Sequence, residues 1–555
     1  MTLTDILLIA ALAVFVLAWW IRRTPARRIV LIVAAVVAVV IAVVGYLNFR
    51  WQDLAGGIVA AAWLIALGGV VIKNRITRTD RTGGVPWLTG IGVAFSAAMA
   101  AAAIMLFPVN PLPKPSGQYA VGVRTFELAD ASRPGVFAAK PDEPRRLLVR
   151  VWYPAQDVSG REPALYFTEA EANSTARSLG GMVGFPEFFT YVRNVRTNSY
   201  PYAPLLDGAT NLPVVFYSHG YTSFLQQNTA LMEELASHGY VVFSVQHTYD
   251  SSDTAFPNGD VAPMDPDMLD IATEDARPSQ ADALAGDTLD KRLEGALVYQ
   301  EYAVRVKDRI TAQSTPVWVA DRLFLHDTLM DAPPENVADI AAASNLKRVG
   351  EMGMSFGGAI SGEICMIDPR CAAGVNLDGG NFPFTSFNLD VPAPFLMFHS
   401  DLNYLYQSME REPPETGARG FNEFSYERIG EAGQRDDVYR VSLKGARHLG
   451  LSDFTLFMDP LLRAPLLGDG PSDIIVGAQN DFVLGFFDKH LRGVDSGFPQ
   501  KQLEAYEGWV LPAPNNDVAP WWNAKPEAER AALEARIEAL KPRYSPPPPP
   551  GGSDE

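Results

Sequence analysis

Residues 347–358 read Lys-Arg-Val-Gly-Glu-Met-Gly-Met-Ser-Phe-Gly-Gly. The stretch passes from a strand-like run (Lys347–Met354) through a glycine-flanked serine into a helical one (Gly358–Met366). A serine held on so sharp a turn needs small neighbours, here Gly353, Gly357 and Gly358. The turn lifts the hydroxyl above the sheet and aims the next backbone N–H at a developing oxyanion. Outward from this point strands and helices alternate. Arg146–Tyr153, Leu212–Tyr217, Tyr240–Gln246, Ala372–Leu377, Pro394–His399 and Tyr439–Leu443 read as strands, several of them continuously apolar. Leu225–Ser237, Leu289–Ala312, Val317–Leu329 and Asp481–Leu491 read as helices. That alternation predicts an α/β fold, with a mostly parallel central sheet covered by helices on both faces.

A nucleophilic serine needs a base, and in this architecture the chain order is serine, acid, histidine. Of the histidines after Ser355, His399 ends an apolar strand and His490 ends a helix. His448 follows Tyr439–Leu443 through Gly445-Ala446, a loop from which an imidazole can swing over the sheet edge, so it is the expected base. The acid has two candidates, Asp378 and Asp401, each just past a strand; the residues alone leave both open. A second oxyanion donor is expected from the loop Ser218-His219-Gly220-Tyr221, as the N–H of Tyr221 beside that of Phe356. His219 precedes the serine, so its expected part is to brace that loop by hydrogen bonding. Pro369 stops the helix behind Ser355 and turns the chain back, which predicts a disulfide between Cys365 and Cys371.

The chain has 555 residues, 48% hydrophobic and 20% charged, which excludes wholesale disorder. Charge is unevenly spread. Up to residue 112 there are nine basic and three acidic side chains, leaving 37 basic and 61 acidic for the rest. So acidic a remainder argues against a nucleic-acid partner. Two cysteines and seven scattered histidines offer no metal cluster, and neither metal nor cofactor is expected.

Four apolar runs, about Ile6–Ile21, Ile29–Leu47, Ala55–Ile72 and Val85–Phe107, predict a four-helix transmembrane region over residues 1–107, in contact with the lipid bilayer. Arg22, Arg23, Arg27 and Arg28 lie between runs one and two. Lys73, Arg75, Arg78 and Arg81 lie between runs three and four. Positive loops stay cytoplasmic, so the expected location is the cytoplasmic membrane, multi-pass, with the following domain on the extracytoplasmic side. Residues 108–118 (Pro-rich) read as a linker and 119–500 as the α/β domain, with an acidic insertion at about 250–290 that either caps the site or forms a mobile surface loop. Residues 501–544 form an extension with a charged helix at 526–540, and 545–555 a disordered Pro-rich tail.

Several segments resemble the secreted platelet-activating-factor acetylhydrolase family within the α/β-hydrolases. They are VRVWYPA (149–155), YSHGYTSF (217–224), LASHGYVVFSVQH (235–247), GMSFGG (353–358), NLDGG (376–380) and HLGLSDF (448–454). The resemblance implies the α/β-hydrolase fold, a cofactor-free serine carboxylester hydrolase and a short-acyl glycerolipid or similar small ester as substrate. It implies Ser355 as nucleophile, His448 as base, and the amides of Tyr221 and Phe356 as oxyanion hole. The family's acid follows the strand right after the nucleophile helix, which here is Asp378. Met354 stands where the family commonly has His, and the insertion is longer and more acidic. Two other readings stay open. One is a cutinase-type polyester hydrolase or dienelactone-hydrolase-like esterase, with Asp401 as the acid of the cutinase type. The other is a membrane protein whose outer domain binds without catalysis.

Overall fold

The computed structural model describes all residues except 22–23, 78–86, 139–141, 270–276, 381–383, 416, 421 and 542–555. Arg22, Arg23, Arg78 and Arg81, part of the insertion, and the tail 545–555 lie outside the described residues. The described chain divides into two compact units. One joins Met1–Leu112 with Leu165–Arg196 and Leu456–Arg463; the other comprises Pro113–Ala164, Thr197–Thr455 and Ala464–Glu555.

The second unit is built on a ten-stranded sheet. Its strands are β1 (Ala120–Pro134), β2 (Pro144–Ala155), β3 (Ser199–Pro201), β4 (Leu212–Ser218), β5 (Val241–Gln246), β8 (Ser344–Met354), β9 (Cys371–Leu377), β10 (Phe395–His399), β11 (Val438–Leu443) and β12 (Val510–Pro512). A separate ribbon pairs β6 (Thr254–Ala255) with β7 (Val261–Ala262). The sheet order is β12-β11-β10-β9-β8-β4-β5-β2-β1-β3. From β11 to β5 every neighbouring pair is parallel. The flanks depart from this: β2 runs antiparallel to β5, β1 to β2, and β12 to β11. The sequence reading did not single out β1, β3 or β12. β3 and β12 have three residues each, and β1 mixes polar with apolar positions.

Alternation along the strands feeds two cores. Val214, Phe216, Val241 and Phe243 pack on one face with Leu325 and Leu329. Val215, Tyr217, Val242, Met352 and Met354 pack on the other with Phe482, Phe486 and Phe487. Burial on both faces is why the central strands read as unbroken apolar runs. Two helix boundaries differ from the sequence reading. The helix expected from Leu225 starts at Thr229, and the Leu225 amide before it donates to Gln246 Oε1 at 2.7 Å. The helix from Leu289 ends at Val306, where Lys307 turns left-handed with φ 53°.

The first unit holds four apolar helices, α1 (Leu3–Trp19), α2 (Pro25–Leu47), α3 (Asp53–Thr77) and α4 (Trp87–Met105). Pro25–Leu47, Asp53–Asn74 and Trp87–Met105 are long and apolar enough to cross a membrane; Leu3–Trp19 is apolar but shorter. Small residues line their shared core, with Ala34, Ala35, Ala38, Ala42 and Ala60 buried. Arg50, after α2, is buried too. It donates to Asp5 at 2.7 Å and to the carbonyls of Phe107 and Ile104 at 2.7 and 3.0 Å, so its charge is paired and its N–H groups satisfied. Trp51 and Phe107 pack edge-on at 5.0 Å, and Phe185 and Phe188 from the segment Leu165–Arg196 join them.

Candidate active site

Sheet register brings the sequence motifs to one crevice. Gly353 on β8 pairs with Ser218 on β4 and with Asn376 on β9, and His399 on β10 pairs with Ser442 on β11. The loops after these strands therefore emerge side by side, at the strand ends where open α/β sheets take ligands. β4 is followed in the chain by its neighbour β5 and β8 by its neighbour β9, so the connections diverge to opposite sides between β8 and β4.

Ser355 sits at φ 55°, ψ −122°, a backbone region that non-glycine residues avoid and that persists when the surroundings enforce it. Two things enforce it. The Ser355 amide donates to Leu377 O at 2.7 Å, and the chain behind is pressed together. A Cβ on Gly353 would lie 2.2 Å from Gly357 C, and one on Gly357 would lie 2.0 Å from Ser218 O. Only glycine fits at either position.

His448 lies with Nε2 2.8 Å from Ser355 Oγ and Nδ1 2.7 Å from Asp378 Oδ2. Asp378 is fully enclosed and follows β9 at φ 58°. Burial raises a carboxyl pKa, but the hydrogen bond and charge of His448, with His399 nearby and the Ser400 amide at 2.8 Å, outweigh it and hold Asp378 below the usual carboxylate range. An ionised Asp378 only accepts, so Nδ1 of His448 carries the hydrogen and Nε2 is left to take the serine proton. Asp401 is elsewhere engaged. It caps the helix Leu402–Ser408, accepting from the Asn403 amide at 3.0 Å and from the Gly445 amide at 2.9 Å. Its carboxylate thus anchors the loop that leads to His448, and makes no bond to the ring. His399 is buried, with Nδ1 3.9 Å from Asp378 Oδ1; burial lowers its pKa to about 4.

The Ser218–Tyr221 loop borders the serine: a Cβ on Gly220 would sit 3.3 Å from Ser355 Cβ. Phe356 is the first residue of the helix Phe356–Ile367, and first-turn amides have no partner carbonyl inside a helix. Gly220, next to Tyr221, and Phe356 thus adjoin Ser355. Cys365 and Cys371 are joined by a disulfide across a Cα–Cα distance of 5.1 Å.

Sequence reasoning missed several neighbours. Gln227 accepts from the Gly220 amide at 2.7 Å and reaches Met354 Sδ at 3.3 Å. Asn376 brackets the turn after β9, accepting from Gly379 N at 2.6 Å. Trp318 packs edge-on against Phe356 at 4.7 Å and donates to Asp250 at 3.1 Å. Asp250 is also paired with Arg309 at 2.7 Å, which reaches Asp265 at 2.8 Å, and Tyr221 donates its hydroxyl to Met268 O at 3.1 Å. The described start of the insertion is therefore tied to the Tyr221 loop. Gln, Asn and Trp at these positions belong to no recognised spacing; Gln227 and Trp318 reach partners 127 and 68 residues away, while Asn376 acts on its own turn.

Comparison with known proteins adds the following. The family described as platelet-activating factor acetylhydrolase, isoform II, matches residues 105–504. Among solved structures, a ferulic acid esterase from Streptomyces cinnamoneus is similar at 21% identity, over 73% of this chain and 99% of that chain, with a TM-score of 0.48. No curated protein matches the chain.

Proposed function

The chain belongs to the platelet-activating factor acetylhydrolase isoform II family, and from that premise we propose that it is a serine carboxylester hydrolase working through an acyl-enzyme. The observation that carries the reading is the hydrogen-bonded array Asp378–His448–Ser355, with contacts of 2.7 and 2.8 Å. Ser355 Oγ attacks the ester carbonyl as His448 Nε2 takes its proton, and Asp378 stabilises the imidazolium. The carbonyl oxygen gains negative charge and receives the N–H groups of Tyr221 and Phe356. His448 then protonates the leaving alcohol, and water activated by the same nitrogen releases the acid.

The proposed substrate is a short-acyl glycerolipid or similar small ester. We propose further that the apolar helices within residues 1–107 anchor the chain in the cytoplasmic membrane, and that 108–118 links them to a catalytic domain at 119–500 on the extracytoplasmic side. Wild type and Ser355→Ala, compared on chromogenic esters of graded acyl length, test the chemistry. The variant should lose about 10⁴-fold or more in kcat while keeping its unfolding midpoint. Retention of a tenth of wild-type turnover rejects the reading, and the acyl-length profile ranks substrates.

A further inference from the structure

A buried hydrogen-bond chain lies beneath the Tyr221 amide. We propose that His219, oriented by His247 and Asp321, is a positioning residue that locks the oxyanion-hole peptide. This rests on the reading of the site proposed above. The Gly220 carbonyl and the Tyr221 N–H belong to one planar trans peptide, so they point in opposite directions. Whatever holds the carbonyl also aims the N–H. His219 Nδ1 lies 2.7 Å from Gly220 O. A carbonyl only accepts, so Nδ1 carries the hydrogen. Nε2 of the same ring accepts the backbone N–H of His247 at 3.2 Å, which requires it to be bare. The two contacts select one neutral tautomer. Burial, with His247 alongside, lowers the His219 pKa to about 3, so the ring stays neutral at ordinary pH.

His247 is anchored in turn. Its Nδ1 donates to Asp321 at 3.0 Å, the Ser218 hydroxyl donates to its Nε2 at 3.2 Å, and its ring stacks on Trp318 with centroids 3.8 Å apart. Asp321 is held by Arg145 at 2.7 Å and Arg133 at 2.9 Å. Ser218, His247 and Asp321 repeat the residue types of the array at Ser355, but their exposures are 2%, 0% and 0%. No ester reaches Ser218, so this second chain can act only through geometry. What it supports is a glycine peptide, which would otherwise turn readily.

The test uses the full-length protein and a soluble chromogenic short-chain ester. His219→Phe removes the donor, and kcat should fall about 10²-fold or more, with KM within about threefold, as for loss of one oxyanion donor. An aryl boronic acid, which adds to Ser355 as a tetrahedral anion, should bind that variant more weakly by a similar factor. His219→Asn, whose amide nitrogen can take the place of Nδ1, should recover about tenfold or more of the lost kcat. Wild-type kcat in His219→Phe beside an inactive Ser355→Ala overturns the proposal. So does a loss that Asn does not rescue and boronate affinity does not follow. If His219→Phe does not fold, nitrogen NMR of the histidine-labelled wild-type chain decides: His219 protonated at Nδ1 supports the lock, and protonated at Nε2 it rejects it. An active Ser355→Ala would instead overturn the underlying reading of the site, and this proposal with it.

Discussion

Asp378 and Asp401 stand at the ends of adjacent strands and use their carboxylates differently. Asp378 turns one oxygen to His448 and the other to the Ser400 amide; Asp401 spends both on backbone amides of its own helix start and of Gly445. Replacing each by Asn should separate the two roles. Asp378→Asn should cut kcat by about 10⁴-fold, because an amide there cannot hold the imidazole in the right tautomer as a carboxylate does. Asp401→Asn keeps a capping side chain and should leave kcat within about threefold, while Asp401→Ala should cost about 1 kcal/mol of stability from the lost cap. Equal loss of turnover in the two Asn variants would mean that the hydrogen bonds of Asp401 matter to the chemistry as much as the contact of Asp378 with the ring.

The element that carries Ser355 is the helix Phe356–Ile367, wedged against β4 and β9. Gly357 lets its first turn approach Ser218 O; the alternative contact of 2.0 Å is with backbone and cannot be relieved by a rotamer. Gly357→Ala should therefore destabilise by about 1–3 kcal/mol. It should also lower kcat by more than about tenfold, because the serine and its oxyanion donors part. Denaturant midpoint and turnover, measured together, check both numbers. At the other end, the disulfide Cys365–Cys371 closes a loop with a sequence separation of 6. So short a loop yields about 2–3 kcal/mol on the chain-entropy account, and the Cys365→Ser/Cys371→Ser pair should lose that much. An unshifted midpoint, or two thiols that alkylate without reductant in the denatured protein, would remove the bond from the account.

At the scale of the whole chain, the division into two units does not follow sequence order. Leu165–Arg196 lies between β2 and β3 and Leu456–Arg463 lies past His448, yet both cluster with the first 112 residues. Within that unit the Asp459 amide donates to Leu106 O at 3.0 Å, just past α4, and the Tyr191 hydroxyl donates to Phe457 O. The unit carrying the apolar helices thus includes chain from within the proposed catalytic domain. The proposed topology is testable by placing one free cysteine at Ser159, an exposed position of the second unit. A membrane-impermeant thiol reagent should label Ser159→Cys in intact cells. Labelling only after lysis would reverse the orientation argued from the positive loops.

What the sequence determined by itself is what depends on local chemistry and periodicity. Unbroken apolar runs betray strands buried on both faces, four apolar stretches betray the N-terminal helices, and a serine set among glycines between strand and helix marks the turn at Ser355. It named Ser355, His448, Tyr221 and Phe356 as candidates because each follows a strand end. It could not separate Asp378 from Asp401 without a family resemblance, because both follow strands and a carboxylate carries no local sign of its partner. Only tertiary structure decided which of them meets the ring. It alone brought in the strands β1 and β12 and the antiparallel pairing of β2, since such pairing depends on partners rather than on a strand's own pattern. It alone gathered Gln227, Asn376, Trp318, His247 and Asp321 around the site. Those groups act through hydrogen bonds and packing that reach far along the chain, 127 residues from Gln227 to Met354 and 188 from Arg133 to Asp321. Such contacts exist only once the sheet register has aligned the strand ends.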